Sequence, residues 1–184
     1  MPRHFSLNPA EYEIPAIDEL RWEWRNVPDA DARNVIAVEA QYLEFHRYLL
    51  ESLRHRDVAG GDPIPLGLSV RAGALKTATL VCASIAEAAL RAHAERRGYQ
   101  LPPNARHRTF GKVLRAWQHP AETPRAEVAP VWPQLQALHS GRNNIHLYGA
   151  AENGGNFYDV LQSEAQSLAI SDQVLAALKA LVSP

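Results

Sequence analysis

Cysteine is nearly missing from this sequence of 184 residues, in which Cys82 is the only one. A disulfide framework within the chain is therefore excluded, and a zinc site built from the thiolates of one chain is strongly disfavoured. Cys82 lies in the apolar run "TLVCASIAE", and this setting predicts a buried structural thiol.

An excess of one charge sign and long hydrophobic runs are also missing. The formal net charge is -1, so no overall basic field attracts nucleic acid and any such contact must come from a local patch. The opening residues "MPRHFSLNPAEYEIP" lack the continuous apolar segment of a secretory signal. No run reaches the roughly 18 apolar residues of a membrane span. We therefore expect a cytoplasmic protein with no membrane partner.

The first 28 residues contain four prolines and no helical periodicity, which predicts an extended N-terminal arm over 1–28. Within it, "LRWEWRN" alternates apolar and polar residues, as in a short strand or extended segment with Trp22 and Trp24 on one face. Large aromatic side chains seldom stay in water, so we expect the arm to dock on the core or on a second subunit.

Residues 29–184 have helical periodicity and predict one helical-bundle domain. The first helix is expected to begin near Asp29 or Asp31, either of which can cap it. Further helices are predicted over 67–97, from Thr109 to about Gln118, over 133–147 and over 158–182. No convincing sheet is indicated. This pattern predicts an all-α fold, a four- to five-helix up-down bundle.

The first helix has one apolar stripe, formed by Val35, Val38, Tyr42, Phe45, Leu49 and Leu53.

The stretch "SGRNNIHLYG" places several polar side chains on the predicted fourth helix. His139, Arg142, Asn143 and His146 follow one another at spacings of three and four, so they form one polar stripe. Arg142 and His146 are four apart, which puts their Cβ atoms about 6 Å from each other on a helix. Both side chains can then reach one phosphodiester.

These residue types suit RNA cleavage without a metal. A neutral imidazole has a useful pKa for a general base, so His146 could take the proton of a ribose 2′-hydroxyl. Arg142 would stabilise the charge of the transition state, and Asn143 would orient the phosphate or the imidazole. A purely structural interpretation also remains open, because cations near a helix C-terminus are favoured by the helix dipole.

Arg142–Asn143 followed by His146 resembles the signature of the HEPN superfamily, small all-α domains that include many prokaryotic toxin and defence ribonucleases. Tyr148, two residues past His146, matches the toxins that are paired with nucleotidyltransferase antitoxins. "SIAEAALRAHAERRG" and "RTFGKVLRAW" also resemble helices that precede the motif. The likeness covers roughly 67–182. The family normally has four to six residues between the Arg and the His, whereas this chain has three.

The resemblance implies a homodimer in which two Arg142/His146 pairs line one cleft, with RNA as substrate, no cofactor and a cognate antitoxin of the nucleotidyltransferase type. The predicted function is therefore a metal-independent endoribonuclease of toxin or defence type. The alternative is a catalytically inactive HEPN-like dimer that serves as a binding or scaffold module, which the short gap and the near-neutral charge favour.

Supporting roles are predicted for His139, Tyr148 and Glu87. Glu87 falls in the apolar second helix, and a carboxylate there needs a partner, for which Arg142 is the candidate. Arg106 and Arg108, in the loop "NARHR", are candidates for binding RNA phosphates, or they are simply solvated. His139 and His146 are seven apart rather than four, so no metal site is predicted.

Overall fold

The computed structural model describes residues 4–7, 13–56, 64–65, 68–144 and 164–183, with side chains over 13–52, 71–104, 106–143 and 165–183. The all-α fold class is confirmed. Six α-helices lie in these ranges: α1 (Ile17–Glu23), α2 (Ala30–Ser52), α3 (Leu68–Arg96), α4 (Phe110–Ala116), α5 (Trp132–Asn144) and α6 (Glu164–Ala180).

Three short strands form a small antiparallel sheet that the sequence did not reveal. They are β1 (His4–Leu7), β2 (Leu53–Arg56) and β3 (Ile64–Pro65), in the order β1-β2-β3. In the register of β1 and β2, His4 lies opposite Arg56 and Leu7 opposite Leu53. The expectation of no sheet was wrong here, because strands of at most four residues are too short for an alternating pattern to be recognised.

Helix α3 is the central element of the core. It packs against α2, α4, α5 and α6. One face of the helix is buried, and it includes the lone thiol of Cys82, whose burial the sequence predicted. Its alanines let the neighbouring helices approach closely, because a methyl side chain keeps two helix axes near the short end of the packing range. The buried members of this face are Leu75, Ala78, Val81, Cys82, Ile85, Ala89 and Leu90.

Among the described residues one helical stretch, Arg71–Arg96 of α3, is long and apolar enough to cross a membrane. The criterion is length and composition alone, and the core helix of a soluble protein meets it too. Half of the window is buried inside the structure, in keeping with the place of α3 at the centre of the helices.

The N-terminal arm contains a helix where an extended segment was expected. α1 begins after Ala16, whose backbone N–H donates to the Glu19 carboxylate at 2.9 Å, and acidic residues in its first turn suit the helix dipole. Residues two apart on a helix are separated by about 200° of rotation. Trp22 and Trp24 therefore do not share a face: Trp24 is fully buried, whereas Trp22 is 66% exposed with the guanidinium of Arg25 stacked over its ring.

Helix α2 begins where the sequence indicated, since the Asp29 carboxylate accepts a hydrogen bond from the backbone N–H of Ala32 at 2.6 Å. The predicted apolar stripe, however, is not the buried face. Val35, Val38, Tyr42 and Phe45 are exposed. α1 and α3 cover the other side of the helix, where the buried residues are Ile36, Ala37, Ala40, Leu43 and Leu50. α2 thus has a second apolar side besides the predicted stripe, and only the packing of the neighbouring helices decides which side is buried.

Trp117 fixes the short helix α4 against α3. Its ring is fully buried, and its indole N–H donates to the carbonyl oxygen of Leu90 at 3.0 Å. Tyr99 meets the same ring edge-on, with ring centroids 5.1 Å apart. This anchor determines where the first turn of α4 lies relative to α3 and α5.

His93 is a titratable group inside the core. It has no exposed surface, its Nδ1 lies 2.7 Å from the hydroxyl oxygen of Ser183, and its Nε2 has no hydrogen-bond partner. Burial, with a smaller contribution from Arg97, lowers the pKa of His93 to about 4. The unfolded chain thus binds a proton more readily than the folded one, so stability is lost as the pH falls below about 6.5.

We predict that His93 alone lowers the free energy of unfolding by about 2 kcal/mol when the pH falls from 7 to 5. The reason is that the histidine stays neutral in the folded protein, whereas it binds a proton in the unfolded chain. Urea denaturation at the two pH values measures this change in wild type and in His93→Gln, which should lack it. His107→Gln is the control, since His107 is exposed. An equal pH dependence in wild type and His93→Gln would contradict the prediction.

Candidate functional site

Four polar side chains meet where α3, α4 and α5 come together. Glu87 comes from α3, and His139, Arg142 and Asn143 come from consecutive turns of α5. Together they are called the polar junction below. The first turn of α4 closes it from a third side, because the backbone N–H of Phe110 is directed at the Glu87 carboxylate and the Phe110 ring lies against His139.

Glu87 and Arg142 form the ion pair that the sequence predicted. The closest approach, from a guanidinium nitrogen of Arg142 to Oε2 of Glu87, is 3.7 Å. Burial raises the pKa of Glu87, while Arg142, the N–H of Phe110 and Arg91 oppose that shift by favouring the charged form. The pair is open to water, since the Glu87 side chain is 24% exposed and that of Arg142 is 34% exposed.

Arg142 is held loosely. A separation of 3.7 Å is too long for a hydrogen bond, and no hydrogen bond of its guanidinium is found within the described part of the chain. Its N–H donors are therefore available to an oxyanion. The Arg142 guanidinium is planar, one third exposed and paired with a single carboxylate. It can therefore form a bidentate contact with a phosphate.

His139 lies beside Arg142 and is hydrogen-bonded to Asn143. The side-chain nitrogen of Asn143 is 3.2 Å from Nε2 of His139. An amide nitrogen only donates, so Nε2 is the acceptor in this contact. Burial, followed by the charge of Arg142, lowers the pKa of His139. The imidazole is therefore neutral at neutral pH, the state that a proton acceptor needs.

Two glycines border this region, and they differ in what they permit. A Cβ on Gly111 of α4 would lie 2.9 Å from Nε2 of His139, so the missing side chain makes room for the imidazole. The second glycine is Gly141 of α5. Its neighbour is helix α3, but a Cβ there would stand 3.5 Å from Cγ2 of Thr79, an ordinary contact that alanine would tolerate.

The structure brings together Glu87, His139, Arg142 and Asn143, whereas His146 and Tyr148 lie outside the described residues. Arg106 is exposed in the loop before α4. Arg108 is bound within the protein: its guanidinium pairs with Glu95 and donates to the carbonyl oxygen of Pro102 at 2.7 Å. Among the described residues, no three His, Cys, Asp or Glu side chains are grouped as metal ligands.

Sequence reasoning missed the part that α4 takes in the site. Gly111 and the backbone N–H of Phe110 both contribute to the polar junction, although neither has a reactive side chain. The only sequence signal was the glycine directly inside the predicted start of a short helix, where it costs about 1 kcal/mol relative to alanine.

Comparison of the chain with protein-family models, with curated proteins and with solved structures finds no match.

We predict that Gly111→Ala pushes the ring of His139 away from Asn143, because the new methyl group would approach Nε2 to 2.9 Å. The displaced imidazole becomes more hydrated, so its pKa should rise toward about 6.5. NMR titration of the histidine rings measures this shift. Gly141→Ala is the matched control and should leave the His139 pKa unchanged while adding up to about 1 kcal/mol of helix stability. Identical His139 titrations in all three proteins would refute the assignment.

Proposed function

We propose that this chain is a metal-independent endoribonuclease of toxin or defence type, related to the HEPN superfamily. The observation that supports it best is the polar junction: a partly exposed Arg142 with free donors beside a neutral imidazole and an amide. Arg142 stabilises the charge on the phosphorus-centred transition state, and Asn143 orients the phosphate or an imidazole.

His146 is the proposed general base in this scheme. It removes the proton of the ribose 2′-hydroxyl, and the 2′-oxygen attacks the adjacent phosphorus. The bond from phosphorus to the 5′-oxygen breaks, leaving a 2′,3′-cyclic phosphate and a 5′-hydroxyl that receives a proton. His139 supports Asn143 through the hydrogen bond between them, and Glu87 balances the charge of Arg142. Tyr148 keeps its predicted supporting role.

RNA cleavage in the presence of EDTA tests the proposal directly. We expect His146→Ala to lower the cleavage rate by about 10²–10⁴-fold and Arg142→Ala by about 10²–10³-fold, since one removes the base and the other the charge stabilisation. Denaturing electrophoresis with end-group analysis for a cyclic phosphate measures the reaction. His107→Ala, an exposed histidine on a different segment, is the control and should cleave at the wild-type rate.

The rival function is a HEPN-like dimer that binds a partner without cleaving RNA. It is favoured by the internal pairing of the polar junction, in which Glu87 faces Arg142 and Asn143 contacts His139. If wild type and His146→Ala leave cellular RNA equally intact, and expression of the wild type does not arrest growth, the nuclease proposal is wrong and this function takes its place.

The homodimer in the proposal has a suitable surface. Val35, Val38, Tyr42 and Phe45 of α2 and Leu80 of α3 are large apolar side chains left in water, and we call them the α2–α3 face. A small cavity of about 160 Å³ lined by Val35, Ser84 and Ala88 shows that the two helices are adjacent there. Contiguous exposed apolar surface is typical of protein interfaces.

The same face borders the polar junction. Leu80, Ser84 and Glu87 follow one another at spacings of four and three, and Ala88 is four residues after Ser84, so all four lie along one side of α3. A two-fold contact through the α2–α3 face would therefore bring two copies of Glu87 and Arg142 to one interface. This geometry supports an assembly in which each subunit supplies half of a shared cleft.

We expect Val38→Asp to convert the dimer into monomers, because a charge in an apolar interface loses its hydration without gaining a partner. Light scattering after size exclusion measures the mass. Val182→Asp is the matched control, since both valines are well exposed but Val182 lies beyond α6. A wild-type chain that stays monomeric at high concentration, or a Val38→Asp dimer, would contradict the proposed interface.

A further inference from the structure

A second polar feature lies on the other side of α4 from the core. An open cavity of about 820 Å³ is formed by the residues that follow α3, by the outward side of α4 and by the turn after it. Its volume lies within the range of ligand-binding pockets. No residue of the polar junction lines it, so it is a separate place on the surface.

The charged side chains that line this cavity are all basic. Lys112, Arg115 and Arg125 line it together with His119, and no Asp or Glu is among the lining residues. Lys112 and Arg115 are exposed, and within the described ranges neither has an ion pair. The Glu127 carboxylate lies beside the cavity and accepts a hydrogen bond from the Tyr99 hydroxyl at 3.3 Å, so it offsets part of the charge of Arg125. Lys112 and Arg115 remain, and cationic side chains that converge on a concave surface raise the local concentration of anions. The net charge of -1 hides this local patch.

The cavity also contains a flat platform. The guanidinium of Arg125 stacks over the ring of Tyr99, with its carbon 3.8 Å from the ring centroid. Two hydrogen bonds hold Arg125 in this position. Its Nε donates to the carbonyl oxygen of Ala116 at 3.3 Å, and its backbone N–H donates to the carbonyl oxygen of Trp117 at 2.9 Å. Guanidinium planes and aromatic rings are surfaces on which unpaired bases stack.

The turn after α4 holds the remaining wall in place. His119 donates its backbone N–H to the carbonyl oxygen of Thr123 at 2.9 Å, and Glu122 donates back to His119 at 2.8 Å. Glu122 has a φ of 61°, a left-handed conformation that a non-glycine residue rarely adopts. The wall is therefore shaped by hydrogen bonds rather than by loose side chains.

We infer that this cavity, the α4 groove, binds the phosphodiester chain of single-stranded RNA, with Lys112 and Arg115 on phosphates and the Arg125–Tyr99 stack under a base. Gly111, whose missing side chain makes room for His139, is four residues before Arg115 on the same helix, a rise of about 6 Å. A strand that leaves the polar junction along α4 therefore reaches the groove within a few nucleotides. The identity of the RNA as a substrate rests on the proposed function, but binding in the groove does not.

Binding of a fluorescent oligouridylate to the full-length chain tests the groove, with His146→Ala present throughout so that cleavage cannot interfere. We expect Lys112→Gln combined with Arg115→Gln to weaken binding by at least about 10-fold at low salt. The slope of log affinity against log salt should fall by about 1.4, because each lost phosphate contact on a single strand contributes about 0.7. Circular dichroism checks that the exposed substitutions leave the fold intact.

Arg21→Gln combined with Arg25→Gln is the matched control. It removes the same net charge from α1 and the turn after it, no residue of which lines the groove, and it should leave the affinity and the slope nearly unchanged. Equal losses in the two double variants would show that only the overall charge matters and would overturn the inference.

A nucleoside triphosphate is the second ligand in the binding experiment, since it offers the same phosphate and base chemistry in a small molecule. If the groove variant loses triphosphate binding while oligouridylate binding stays at the wild-type level, the assignment to an RNA chain is overturned. If groove-dependent oligouridylate binding is found but the otherwise wild-type chain never cleaves RNA, the nuclease proposal fails and the groove stands. If the chain cleaves RNA but its oligouridylate binding does not depend on the groove, the groove inference fails and the nuclease proposal stands.

Discussion

The structure depends on one constraint: α3 packs against four other helices, and the residues on its inward face must be buried among them. Small side chains such as Ala78, Ala86 and Ala89 make this geometry available, since they let each neighbour pack near the α3 backbone. The same crowding places the single carboxylate of the helix centre, Glu87, at the edge where α4 and α5 meet. Its partial burial requires a counter-charge, which Arg142 supplies.

The polar junction and the α4 groove both depend on the position and rotation of α4 against α3. Trp117 fixes this helix by its buried ring and its hydrogen bond to Leu90. Once seated, the helix turns Gly111 toward His139 and presents Lys112 and Arg115 on its outward side. Both roles depend on the rotation of one short helix about its own axis, so a change in the Trp117 anchor would disturb the two places together.

Much of the fold was predictable from the sequence, and the reason is periodicity. The observed bounds of α3, Leu68–Arg96, lie within one residue of the predicted 67–97. Asp29, one of the two residues expected to cap α2, accepts the capping hydrogen bond, and Cys82 is buried as expected. α1 was missed because prolines and an alternating stretch obscured a helix of seven residues. Of the candidate site, the pairing of Glu87 with Arg142 followed from the cost of a buried carboxylate. Gly111 left only a weak signal, a glycine inside the predicted start of a short helix.

The sequence by itself determined a mainly helical chain, a long alanine-rich helix and a line of polar residues on α5, because each depends only on spacing along one helix. Tertiary structure alone decided which side of α2 is covered, since Ile36 and Val38 are equally apolar and only the positions of α1 and α3 distinguish them. It also decided that basic residues from α4 and from the following turn converge on one cavity. Such convergence joins segments that no local pattern connects.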